Sequence, residues 1–327
     1  MIKVLVLSAT ASATNYIYTL RERSDLDIYV TDVSENAGGL YEEGIGSFVI
    51  PRANDLSAYR QALDRIISEE QIDLLIPTSD YDMSGVMELL KRGWDPPVKM
   101  FKPEYDAYRV LSDKLLVNQV LAEEGFRVPR VYRSTAEAVC PVVVKPRREA
   151  GAKGTMIVED DAELERSVEL VERAYGNDII LQEYIPGGVG SIHVALLLYG
   201  ADGKVYGEVA SRSSLTMMTW GGGGNAGKLV DLPQLLETSK KIVETIGGWR
   251  GPINFEYKQH ADDGEYYLME ANCRLNGYSY LTTMNGLNFP SAIVELLTSG
   301  STDPISFDDS LSQTNFVLGY RTRVVSA

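Results

Sequence analysis

Residues 252–274 read Pro-Ile-Asn-Phe-Glu-Tyr-Lys-Gln-His-Ala-Asp-Asp-Gly-Glu-Tyr-Tyr-Leu-Met-Glu-Ala-Asn-Cys-Arg. Two runs rich in aromatic and branched residues flank a turn containing Asp263-Gly264, the pattern of a β-hairpin. A hairpin symmetric about Asp263 sets Glu256 opposite Glu270 and Asn254 opposite Asn272. Directly opposed side chains on one face lie ~4.5–5.5 Å apart at Cβ, and like charges there repel. A cation relieves that repulsion. Mg2+ takes one or two carboxylates and fills its shell with waters and substrate phosphates. Asn272 adds a neutral oxygen, and Arg274 a planar fork suited to phosphate. The alternative is a solvent-facing hairpin whose acids keep an edge soluble.

The Glu256…Glu270-x-Asn272-x-Arg274 pattern resembles the metal and phosphate constellation of the ATP-grasp superfamily. Within it the chain looks most like the carboxylate–amine ligases and the carbamoyl-phosphate-synthase-like branch. The resemblance runs from about Lys114 to about Pro290, and more loosely over the N-terminal third. It implies an ATP-grasp fold with Glu256, Glu270 and Asn272 on Mg2+, or Mn2+ in its place, and ATP bound between a lid and the domain that carries them. The implied reaction is ATP-dependent ligation of a carboxylate to an amine through an acyl phosphate, with Arg274 as a catalytic residue; Arg212, at the base of the glycine run, is read as a second, holding a carboxylate or phosphate. A phosphotransferase making an acyl or carbamoyl phosphate, and an ATP-binding regulator without turnover, are the alternatives.

Composition narrows the classes. The 327 residues suffice for two or three domains. Hydrophobic content of 44% and charged content of 24% describe an ordinary globular chain. Lys+Arg 31 against Asp+Glu 46 leaves a net charge of −15, which argues against nucleic acid or an anionic membrane as partner. Small-molecule carboxylate and amine substrates are expected instead, and a homodimer is compatible with this. Cys140 and Cys273 form no CxxC spacing, so neither a disulfide framework nor a zinc site is indicated. The N-terminus has an apolar core, Val4–Leu7, shorter than the ~7–15 residues of a signal peptide. A cytoplasmic location is expected.

Residues 1–100 alternate strand and helix, which predicts an open, mainly parallel α/β domain. Lys3–Leu7, Ile28–Thr31 and Leu74–Pro77 read as strands, and Asp55 caps a helix bearing Tyr59, Leu63, Ile66 and Ile67. Asp32 stands where a dinucleotide fold places its ribose acid. The preceding loop, Ser8 to Ala13, has no glycine where GxGxxG needs three, which excludes that reading. Thr78-Ser79-Asp80 ends the third strand, either as turn residues or facing the acceptor substrate.

Residues 101–186 are assigned to the lid. Trp94 to Pro97 marks a linker, and Ser112 is expected to cap a helix with Leu115, Leu116, Val120 and Leu121 on one face. Lys114 in its first turn opposes the helix dipole, a cost explained if it reaches a phosphate. The strand Pro141–Lys145 leads into a loop with Gly151, Lys153 and Gly154, whose amides can approach a phosphate closely. The resemblance makes Lys145 the nucleotide-phosphate lysine and places Glu183, Tyr184 and Ile185 at the adenine edge. Val189 and Gly190 stand where the family usually carries a ribose-binding acid.

Residues 187–327 are assigned to the large metal-bearing part, α+β in character. Ile192–Tyr199 and Lys204–Ser211 form a hairpin, and Pro233 starts a helix closed by Gly247. Thr219 to Gly227, with four consecutive glycines, is expected to be neither helix nor strand. It reads either as a passive loop or as a cover over the acceptor site, with Trp220 as anchor and Arg212 at its base. Gly277 and Gly286 bracket a loop, Pro290–Thr298 is the last helix, and Phe316–Val325 a final strand carrying Arg321 and Arg323.

Overall fold

A computed structural model describes residues 1–327 except 150, 219–220, 276–278, 308–314 and 318–327. Of residues 11, 12, 15, 215–225, 279 and 315–317 it describes the backbone alone. The chain begins β1 (Ile2–Leu7), α1 (Ala11–Leu20), β2 (Leu26–Asp32), β3 (Gly46–Val49), α2 (Leu56–Glu70), β4 (Leu74–Pro77) and α3 (Asp80–Lys91). These strands pair in parallel in the order β3-β2-β1-β4. Asp55 caps α2 by accepting from the Ala58 amide (3.1 Å), and Tyr59, Leu63, Ile66 and Ile67 are buried on its inner face. Asp32 accepts from the Ala9 and Ser34 amides (both 2.9 Å), so it braces the first turn.

The connection through Trp94 is anchored in the core: Trp94 is buried, and Lys99 pairs with Leu74 beyond the edge of this sheet. Two helices follow, α4 (Tyr105–Leu111) and α5 (Lys114–Glu123). The cap of α5 is Asp113, not Ser112. Its carboxylate accepts from the Leu115 and Leu116 amides (both 3.1 Å), while Ser112 closes α4. The inner face is Val117, Asn118 and Leu121, with Leu115, Leu116 and Val120 half-buried beside it.

A second sheet takes β5 (Val131–Tyr132), β6 (Val142–Pro146), β7 (Met156–Val158) and β8 (Ile179–Glu183), ordered β5-β8-β6-β7, with α6 (Asp161–Tyr175) on one face. Val142, Val144, Leu164 and Val171 form its core. Alternation along β6 then sends Lys145 to the opposite face, away from α6.

The third sheet is antiparallel, ordered β13-β12-β9-β10-β11-β14. Its members are β9 (Ile192–Tyr199), β10 (Val205–Met218), β11 (Gly221–Val230), β12 (Gly251–Gln259), β13 (Tyr266–Asn272) and β14 (Asn315–Val317). Helix α7 (Pro233–Ile246) packs against it, with Ser239 bonded to the Tyr257 hydroxyl (2.7 Å). The remaining helices are α8 (Ser279–Met284) and α9 (Phe289–Ser299). No helix among the described residues is long and apolar enough to cross a membrane.

Two expectations are overturned here. The glycine run is not a loop: Gly221–Val230 is strand β11, paired with β10 along its length and with β14 at Ala226–Lys228. Backbone bonds on both sides offset the entropy cost of ordering glycine, which isolated propensity does not count. Thr219 and Trp220 lie outside the described residues, so the cover over the acceptor site loses its supporting geometry. Between Gly277 and Gly286 the chain forms α8, held to α1 by packing of Tyr18 on Tyr280 (6.1 Å between ring centroids). The expected final strand is seen only as β14; Arg321 and Arg323 lie outside the described residues.

Close approach explains one of the glycines. A Cβ on Gly227 would stand 2.7 Å from the Arg212 carbonyl oxygen of the paired strand. Gly227→Ala should therefore destabilise the chain by about 1–3 kcal/mol, the cost of an overpacked site. Chemical denaturation measures it; an unchanged midpoint would contradict the β10–β11 pairing.

Candidate active site

The site is built on the β12–β13 hairpin. Glu256 pairs with Glu270, and Asn254 with Asn272. The hairpin is not symmetric along its whole length, however. Near the turn Tyr257 pairs with Leu268 and Gln259 with Tyr266, one residue out of step. Met269 is the extra residue, a bulge that restores the register at the acids. On β12, Ile253, Phe255 and Tyr257 are buried in the apolar core. Alternation puts Asn254, Glu256 and Lys258 on the other face. That division makes one side of the hairpin structural and the other chemical.

Two lysines from different parts of the chain meet these acids. The Lys114 ammonium lies 3.4 Å from a Glu270 carboxylate oxygen and donates to the Glu149 carbonyl at 2.5 Å. Lys145, buried on β6, is discharged more easily than an ordinary lysine, at about 8, because burial and the Lys114 charge outweigh the attraction of Glu270 and Glu256. Burial and the charge of Glu270 push the Glu256 carboxyl well up. Burial acts the same way on Glu270, but Lys114 and Lys145 more than offset it and hold Glu270 ionised. The two acids are thus inequivalent: the lysines hold Glu270 ionised, while burial and that charge favour the neutral form of Glu256.

Asn272 donates through Nδ2 to Asn254 Oδ1 (3.3 Å) and Glu270 Oε1 (3.4 Å), and neither bond uses its own Oδ1. Among the described residues no group of three or more His, Cys, Asp or Glu could hold a metal. The donor set is two carboxylates and a carboxamide, all hard oxygens. It fits a small divalent cation that keeps its remaining positions for water and phosphate, as Mg2+ does.

Arg274 reaches across to the first sheet. Its Nε and Nη2 both donate to Asp80 Oδ2, at 3.0 and 2.6 Å, and Nη1 donates to the Leu275 carbonyl. Asp80 opens α3 just past the end of β4. Its neighbours Thr78 and Ser79 are structural: Thr78 bonds the Leu7 carbonyl (2.6 Å), and Ser79 caps α3. Of the three strand-end residues, Asp80 alone joins the site.

The other expected residues lie around this centre. Gly151 and Gly154 take φ of +69° and +71°, and a Cβ on Gly154 would meet the Tyr175 ring at 2.5 Å. The Lys153 ammonium lies 5.8 Å from the Tyr81 ring centroid, while Tyr81 donates to Glu149 (3.0 Å). This loop therefore touches α3. The Glu183 carboxylate accepts from the Arg130 amide (2.9 Å), Tyr184 lies beneath the Lys258 ammonium (4.6 Å), and Ile185 is buried. Arg212 does not join the acids. It belongs to β10, separated from β12 by β9, and its Nε donates to the Gly190 carbonyl (2.7 Å). Its guanidinium stands where a side chain at 190 would begin, 2.6 Å from a Cβ built there.

Two features escaped the sequence reading. Lys258, buried and shifted down by burial to about 8, shares its face with Glu256. Its place two residues after Glu256 was the available signal. Asp113 is the other: besides capping α5 it binds Arg147 at 2.7 Å and Arg148 at 3.5 Å, tying the start of α5 to the glycine loop. Burial raises its affinity for a proton, but Arg147 and the two amides prevail and hold its pKa below the usual range. A depressed carboxylate adds stability above its unfolded pKa, ~3.9, and loses it as pH falls through the lower folded value. Asp113→Ala should cost about 1–3 kcal/mol at pH 7, from a lost cap and a charged hydrogen bond. The gap between the two proteins should narrow below pH ~4; a gap independent of pH would contradict the ionised role.

Residues 111–278, more than half the chain, match the ATP-grasp domain family. The carbamoyl phosphate synthase large chain, N-terminal section, of Methanopyrus kandleri is 26% identical over 244 residues, 67% of this chain and 42% of that protein. The D-aspartate ligase of Enterococcus faecium is 27% identical over 204 residues, 58% of this chain and 45% of that protein. The chain thus spans less than half the length of either relative. A solved biotin carboxylase from Campylobacter jejuni superposes with a TM-score of 0.72 at 19% identity, covering 93% of this chain and 72% of that one, which shows a shared fold. The chain belongs to the ATP-grasp family.

Proposed function

We propose that the protein is an ATP-dependent ligase that joins a carboxylate to an amine through an acyl phosphate. The observation that carries this reading is the gathering of Lys114 and Lys145 around the opposed Glu256 and Glu270, with Arg274 two residues beyond Asn272. In the first step a carboxylate oxygen of the acid attacks the γ-phosphorus of ATP. The bond from that phosphorus to the bridging oxygen breaks, and ADP leaves. In the second step the amine nitrogen attacks the acyl carbon, the bond to the phosphate oxygen breaks, and the nitrogen gives up a proton. The products are an amide, ADP and phosphate.

Little covalent help is needed from the chain; it positions the reactants and meets the developing charge. Glu270, Asn272 and Glu256 would hold Mg2+, or Mn2+, which supplies charge neutralisation at the phosphates when bound. Lys114 and Lys145 meet the phosphates. Gly151, Lys153 and Gly154 cover them, and Glu183, Tyr184 and Ile185 meet the base. Arg274, aimed by Asp80, meets the acid or its phosphate. The substrates are small molecules, and the two unpaired cysteines fit a reducing, cytoplasmic setting.

ADP should be released only when an acid and an amine are both present, which is the test of ligation. Release with the acid alone would indicate a phosphotransferase instead. Glu270→Gln keeps the shape and removes the charge, so ADP formation should fall by at least ~10²-fold. Near-normal turnover by that variant would remove the hairpin from the chemistry. With Val189 and Gly190 in place of an acid and Arg212 at that spot, ATP and 2′-deoxy-ATP should show similar apparent affinities. A preference of more than ~10-fold for ATP, the size of one charged hydrogen bond, would contradict this.

A further inference from the structure

Beside the acids lies a cavity of about 270 Å³. It is bounded by α3, α4, the start of α5, Arg148 and Glu149 of the glycine loop, and residues 270–273 of the hairpin. Tyr81, Tyr105, Tyr108 and Met83 give it aromatic and apolar walls. The volume falls just below the ~300–1,000 Å³ of common ligand sites, which suits an amino-acid-sized molecule.

The charges along this cavity are unevenly answered. Asp113 has Arg147 and Arg148, Glu270 has Lys114, and Asp80 has Arg274. Arg109, at the exposed rim, pairs with Asp106 (3.6 Å). Glu88 has no ion pair among the described residues; its carboxylate accepts from the Tyr105 hydroxyl. The neighbouring Lys91 directs its ammonium at the Tyr105 ring, 4.0 Å from the centroid. A half-buried carboxylate among tyrosine rings is a receptor for an organic cation, by charge and by cation–π attraction together.

We infer that this cavity receives the amine substrate, and that the amine carries a second positive group which Glu88 binds. The inference rests on the ligase reading above. The reacting nitrogen sits at the Asp80 and Glu270 end. Both Arg274 bonds to Asp80 fall on Oδ2, which leaves Oδ1 to accept from that nitrogen. Asp80 and Glu88 are eight residues apart on α3, about 12 Å along the axis. The two side chains also stand ~80° apart around the helix, so a hydrogen bond at each end leaves roughly 6–9 Å between two nitrogens. That is the reach of an α,ω-diamine or of the two amines in a basic amino acid.

The experiment measures ADP release with a fixed acid and two series of amines: diamines or basic amino acids, and neutral isosteres lacking the distal nitrogen. The cationic member of each pair should be preferred by ~10–100-fold in kcat/KM, the worth of one charge-assisted hydrogen bond. Glu88→Gln should collapse that ratio, mainly through KM, and a ratio is insensitive to the amount of folded enzyme. Separately, hydroxylamine replaces the amine in the wild-type protein and traps the acyl phosphate as a hydroxamate. Hydroxamate formation with equal use of the neutral isosteres, or with an unchanged ratio in Glu88→Gln, overturns the inference and leaves the ligase reading standing. No hydroxamate with any acid overturns the ligase reading, and the inference with it.

Discussion

Two carboxylates face each other across one rung of an antiparallel hairpin, and much of the structure can be understood as the means of tolerating them. Glu256 and Glu270 could not share that rung in an apolar setting, because unpaired buried charge is strongly unfavourable. Lys114 arrives from the first turn of α5 and Lys145 from a strand of another sheet. Each lysine is itself costly where it stands. Lys114 opposes the helix dipole, and Lys145 is buried enough to be discharged near pH 8. These costs offset one another only when the four groups are together. On the proposed function, nucleotide phosphates and a divalent cation complete the balance.

The arrangement depends on three sheets contributing to one place. The first supplies Asp80, which fixes the Arg274 guanidinium through two bonds to a single oxygen. The second supplies Lys145 and the glycine loop, which Asp113 holds to α5 through Arg147. The third supplies the hairpin, braced on its apolar face by α7 through Ser239 and Tyr257. Arg212 belongs to the same sheet but to a strand two places away, and it serves the turn at Gly190 instead.

The fold was legible where short-range patterning carries it. The parallel βαβ order, the Asp55 cap and the hairpin with its facing acids all follow from spacing within about twenty residues. What misled was structure decided by distant partners. The glycine run becomes a strand because β10 and β14 supply its hydrogen bonds, and α8 forms because α1 gives it a surface. The Met269 bulge is also invisible locally: the symmetric hairpin gives the right pairing of the acids only because the bulge cancels an offset nearer the turn. Within the site, residue types and spacing pointed to Glu256, Glu270 and Asn272. The Asp80–Arg274 pair joins positions 194 residues apart, and no sequence pattern announces it. The Glu88 cavity is likewise a product of packing between helices.

On the proposed function the opposed acids form a cation site completed by nucleotide. Uptake of Mn2+, followed by electron paramagnetic resonance with a non-hydrolysable ATP analogue at saturation, tests it most directly. Glu270→Gln should weaken Mn2+ uptake by at least ~10-fold, the scale of one charge-assisted ligand contact. Equal uptake by the wild-type protein and this variant would contradict it.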